Sequence, residues 1–67
     1  MLFRSDLIGC LNGRFVALEV KTATGRATSE QRLWLDLVRR HGGFAAIVRS
    51  VDDARAAIAR ARTGASE

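Results

Sequence analysis

Two stretches near the start of the chain alternate in strand fashion. In Asp6–Leu11, Leu7 and Leu11 fall on one face, with Asp6, Ile8 and Cys10 on the other. In Arg14–Lys21, Val16, Leu18 and Val20 alternate against Phe15, Ala17, Glu19 and Lys21. Between them stands Asn12-Gly13, the dipeptide most favoured in a two-residue type I′ hairpin because both of its positions need φ > 0. That turn sets a register: Leu11 faces Arg14, Cys10 faces Phe15, Ile8 faces Ala17, and Asp6 faces Glu19. Apolar residues on both faces call for a sheet covered, at least in part, on both sides. Residues 1–4 read as a short lead-in, and Thr22–Ala27 as a polar loop turning at Gly25.

The period then changes. Thr28 or Ser29 opens a helix, with Thr28 and Gln31 at capping-box spacing. Leu33, Trp34, Leu35, Leu37 and Val38 form a broad apolar face, opposite Arg32, Asp36, Arg39 and Arg40. His41-Gly42-Gly43 ends it, and His41 is read as a residue favoured by the helix dipole rather than as a metal ligand. Phe44–Arg49 predicts a third strand. Ser50 then caps a second helix, with Asp52 and Asp53 in its first turn and a thin stripe of Val51, Ala54, Ile58 and Ala61. Thr63–Glu67 reads as a frayed tail. The order strand, strand, helix, strand, helix, with a right-handed crossover, predicts one α/β domain over residues 1–67 built on a small mixed three-stranded sheet. Glu19 and Lys21 then lie at the carboxyl end of the second strand, where sites in α/β sheets form. Gln31, in the first turn of the next helix, can look back at them while also serving the capping box.

Composition narrows the class. At 67 residues with an apolar fraction of 48%, the chain fits one small globular domain whose core would benefit from a partner or a second copy. Its apolar runs are too short to span a bilayer, and no signal-peptide pattern opens it. A lone cysteine, Cys10, excludes an intrachain disulfide and suits a reducing cytoplasm; inside a strand it is expected to be a buried, inert thiol. The formal charge is +4, carried by ten arginines and one lysine. Arginine clamps phosphate well, so a nucleic-acid binder and a protein with merely solvated arginine-rich helices both fit. The single lysine is more telling. Lys21 shares a face with Glu19, which stands opposite Asp6, and two facing carboxylates destabilise a hairpin unless positive charge lies between them. Such a group is a poor core and a good holder for a divalent metal.

Asp6, then Glu19-Val20-Lys21, then a helix carrying Gln31 resembles the PD-(D/E)XK nuclease signature. More narrowly, SDLIGCLNGRFVALEVK, then GRATSEQRLWLDLVRRHGG, then a strand running into RSVDDA is similar to the VRR-NUC branch. The resemblance covers the chain from Ser5 to about Ala61. It implies a minimal restriction-endonuclease-like core and metal-dependent hydrolysis of DNA phosphodiesters. Asp6, Glu19 and the Val20 backbone carbonyl would bind Mg²⁺ or Mn²⁺, which prefer oxygen ligands. The metal would polarise the scissile phosphate and lower the pKa of an attacking water. Lys21 would position that water or neutralise charge on the phosphate, and Gln31 would orient the water or Lys21. Arg4, Arg14, Arg26 and Arg32 are the candidate nucleic-acid contacts.

The branch is associated with homodimers that cut branched DNA such as four-way junctions, so DNA and a second copy of the chain are the expected partners. Ser5 stands where the family usually has proline. Relatives also carry an opening helix before the first acid, which is not seen here. Cover for the sheet is therefore expected from a twofold partner, with Leu2, Phe3, Leu7 and Leu11 as contributors. Two other readings stay open: a nucleic-acid-binding module or weak nuclease remnant with the same fold, and a structural piece in which Asp6, Glu19 and Lys21 form an ion-pair network.

Overall fold

A computed structural model describes residues 7–67. They form β1 (Leu7–Leu11), β2 (Arg14–Val20), α1 (Ser29–Arg40), β3 (Phe44–Val48) and α2 (Val51–Arg62). The sheet order is β1-β2-β3, with β1 antiparallel and β3 parallel to β2. The hairpin has the predicted register, Leu11 with Arg14, Cys10 with Phe15 and Ile8 with Ala17. Asn12 and Gly13 at its tip have φ of 53° and 79°, the left-handed pair that a type I′ turn needs. The predicted Asp6–Glu19 pairing, the lead-in, and the dimer contributors Leu2 and Phe3 lie outside the described residues.

The two helices cover opposite faces of the sheet. Leu35 and Val38 of α1 pack on Ala17 and Ala45, with Trp34 and Ile47 at the margin. Ala57 and Ala61 of α2 pack on Val16, Leu18, Phe44, Ala46 and Val48, flanked by Leu11, Ala54 and Ile58. Alanines on α2 let that helix lie close to the large side chains of β3. Because α1 connects β2 to β3 and α2 follows β3, cover is centred on those two strands. The edge strand β1 is left in water, with Leu7 and Ile8 each 54% exposed.

That placement corrects several expectations. Cys10 is exposed rather than buried. Leu33 and Leu37 are exposed, since five apolar residues within six positions span more arc than one sheet face can cover. Val51 is exposed as well, and Ala57, absent from the predicted stripe, is fully buried. Arg39 does not lie in solvent: its guanidinium donates twice to the Ala45 carbonyl, at 3.0 and 2.8 Å.

Residues 65–67 make contacts with the body of the domain. The Ala45 N–H donates to the Ser66 carbonyl (3.0 Å), and Glu67 reaches Arg39 at 3.5 Å. Arg14 secures the same region with three donors, to the carbonyls of Gly42 (3.2 Å), Ala61 (2.9 Å) and Ala65 (2.8 Å). Ala45 thus has its N–H and its C=O met by groups of the same chain, which protects part of an edge that could otherwise pair with another strand.

Candidate active site

Glu19 belongs to the face of β2 that α1 covers, two residues beyond buried Ala17. It is the one charged residue buried among those described, 2% exposed. Lys21, two residues on, brings its ammonium to 3.6 Å from Glu19 Oε2, and its side chain is 19% exposed. The Lys21 backbone is held by its N–H donating to the Val48 carbonyl at 3.0 Å, which continues the parallel ladder past the end of β2.

Gln31 reaches the same oxygen. Thr28 caps α1, its hydroxyl accepting from the Gln31 N–H at 3.1 Å. The Gln31 Oε1 accepts in return from the Thr28 N–H at 2.8 Å. The two bonds complete the capping box. With the carbonyl end of the amide committed to the helix start, its Nε2 end donates to Glu19 Oε2 at 3.3 Å. A flipped amide would set N–H against the Thr28 N–H and oxygen against the carboxylate. The cap therefore also fixes the donor that faces Glu19, so both readings of Gln31 hold together.

Lys21 and Gln31 converge on Oε2. Oε1 is buried with no hydrogen-bond partner among the described residues. An unmet buried polar atom costs about 1–3 kcal/mol, more when charged, so Oε1 has a chemical preference for a cation. A hard divalent ion suits that oxygen, and the donor set matches it: carboxylate, with Val20 next in the chain as the source of a carbonyl. Among the described residues no three Asp, Glu, His or Cys side chains come together. Asp6, the second expected carboxylate, lies outside them.

The expected nucleic-acid contacts separate. Arg26 is exposed on the loop between β2 and α1. Arg32 is exposed in the first turns of α1, its Nε 3.5 Å from the Ala27 carbonyl. Arg14 is spent on the three carbonyls of the tail clamp, and Arg4 lies outside the described residues. His41 closes α1 as its C-cap, exposed and remote in sequence from Glu19. Arg49, which sequence reasoning passed over as the end of a strand, donates from Nη1 to the carbonyls of Thr22 (2.7 Å) and Gly25 (2.5 Å). Only a contact map could reveal it, because the partners are 27 and 24 residues away.

A three-stranded mixed sheet with an acid and a lysine at the end of its middle strand, and a glutamine returning from the next helix, is the arrangement of a restriction-endonuclease-like core. The VRR-NUC domain pattern matches residues 4–52, most of the chain, and the protein belongs to that family of nucleases. No curated protein and no solved structure matches the chain. Among the described residues, no helix is long and apolar enough to cross a membrane.

Proposed function

We propose that the protein is a metal-dependent DNA endonuclease that acts on branched DNA as a homodimer, with Asp6, Glu19, Lys21 and Gln31 as its working residues. The observation that carries this reading is the buried Glu19 carboxylate beside Lys21 and the capped Gln31, its Oε1 without a hydrogen-bond partner among the described residues. Asp6, Glu19 and the Val20 carbonyl would hold Mg²⁺ or Mn²⁺. When bound, such an ion polarises the scissile phosphate and makes a water more acidic. Glu19 supplies a fixed anionic anchor, because burial and two donors on Oε2 leave its carboxylate little freedom to turn. Gln31 holds that anchor through a donor oriented by the helix cap. Lys21 orients the attacking water and neutralises charge as it builds on the phosphate, and one P–O bond forms as another breaks. Arg26 and Arg32, exposed on the loop and helix that follow Lys21, contact the backbone of the DNA.

Cleavage of four-way junctions and of matched linear duplexes, each with Mg²⁺ or Mn²⁺ and with chelator, tests the proposal. Metal-dependent cutting favouring the junction is the expected result, with Lys21→Ala reducing kcat by about 10²–10³-fold while DNA affinity persists. Salt-sensitive DNA binding without cleavage in either metal would instead make the protein a binding module of the same fold.

A further inference from the structure

Lys21 and Gln31 approach one oxygen from two different elements, at 3.6 and 3.3 Å. Lys21 directly follows β2, while Gln31 sits in the first turn of α1, and residues 22–27 lie between the two elements. Whatever shapes that loop sets how the two donors meet on Glu19.

The loop opens with a tight turn. The Gly25 N–H donates to the Thr22 carbonyl (3.3 Å) and to Thr22 Oγ1 (3.0 Å). A Cβ at position 25 would stand 2.9 Å from that hydroxyl, so a larger residue would push the Thr22 side chain aside from its bond to the position-25 N–H. Arg49 fastens the turn from outside through Nη1, on the carbonyls of Thr22 and Gly25. Arg49 is itself held: its N–H donates to Asp53 Oδ2 at 3.0 Å, and the Asp53 N–H donates to Ser50 Oγ at 3.0 Å as the N-cap of α2. One residue earlier, the Val48 carbonyl accepts from the Lys21 N–H. The β3–α2 junction thus grips both the strand end that bears Lys21 and the turn that follows it.

We propose that Arg49 is a positioning residue of this nuclease, clamping the 22–25 turn so that Lys21 and Gln31 are held together on Glu19. The inference rests on the nuclease reading for its catalytic half and on geometry alone for the clamp. Charge-assisted bonds to two carbonyls suit a fastening role, since each is stronger than a neutral pair. Small misplacements at a reacting centre carry large rate penalties, so loosening the turn should act on kcat rather than on DNA capture.

The test compares Arg49→Met and Arg49→Lys with the parent chain, reading amide hydrogen exchange across residues 22–27 together with kcat and KM on junction DNA. In Arg49→Met, exchange at the Gly25 amide rises about tenfold or more. At the same time kcat falls about 10–10²-fold while KM stays within about twofold. Arg49→Lys recovers most of both, because an ammonium can donate to two carbonyls at once. Unchanged Gly25 exchange in Arg49→Met overturns the clamp. A raised KM with weaker salt dependence and unaltered kcat overturns it too, by making Arg49 a phosphate contact. A parent chain that cuts no DNA refutes the nuclease reading and the catalytic half with it, while exchange still decides the clamp.

Discussion

Glu19 places a carboxylate in the α1-facing layer of the sheet, where a hydrophobic residue would pack without cost. With one oxygen met by Gln31 and Lys21 and the other without a hydrogen-bond partner among the described residues, the buried carboxylate costs stability unless a cation joins it. Glu19→Gln, nearly the same in shape and uncharged, should therefore unfold at a temperature no lower than the parent in chelator. The parent should gain Tm on adding Mg²⁺ or Mn²⁺, as expected of an ion that binds only the folded state, and Glu19→Gln should lose that gain. Thermal unfolding with and without metal reads both effects. Gln31 allows a sharper separation. Glu at that position still completes a capping box, so Gln31→Glu should keep the helix start while setting a second negative group against Glu19. The expected outcome is a lower Tm in chelator than the parent, with a larger recovery on adding metal than the parent shows. Equal metal responses in the two proteins would leave Gln31 with only its capping role.

At the scale of elements, local chemistry and tertiary contact divide the work. The hairpin register follows from Asn12-Gly13, and the starts of both helices follow from Thr28 and Ser50, all within a few residues. The passage from α1 into β3 depends on distant atoms. A Cβ at Gly43 would lie 2.7 Å from Val38 Cγ1, 2.9 Å from the Phe15 carbonyl oxygen and 3.1 Å from the Val38 carbonyl oxygen. Two of these neighbours are backbone and cannot turn aside. Gly43→Ala should consequently destabilise the fold by about 1–3 kcal/mol, measured by denaturant unfolding, through overpacking between α1 and the hairpin. Arg14 likewise takes its partners from distant parts of the chain. Its position at the start of β2 is polar and suits a phosphate contact, and only the folded chain brings the carbonyls of residues 42, 61 and 65 around it.

For the molecule as a whole, β1 is the uncovered element. Leu7 and Ile8 point to opposite faces of the sheet and are both more than half exposed. Leu7 also borders the shallow apolar surface between β1 and α2, with Val51, Ala54 and Ile58. An edge strand apolar on both sides is an association surface or an aggregation hazard. In the proposed twofold homodimer this strand is buried, and two sites share one basic molecule. Sedimentation at micromolar concentration should give a dimer for the parent chain and a monomer for Leu7→Asp, with helical circular dichroism preserved. A folded parent monomer under those conditions would count against both the dimer and paired cutting of a junction.

Periodicity, turn chemistry and caps are short-range properties, so the five elements, their order, the hairpin register and the Glu19-Val20-Lys21 run with Gln31 after it could be read from the residues alone. Exposure is not short-range. Whether Cys10, Leu33, Leu37 or Val51 met water depended on how far two helices, both tied to β2 and β3, could reach across the sheet. The fate of the arginines was likewise settled by the fold. Arg14, Arg39 and Arg49 look alike in sequence to Arg26, yet these three are turned towards backbone carbonyls. A guanidinium takes its partner from whichever acceptors the tertiary structure leaves within reach, and those lay from 6 to 51 residues away.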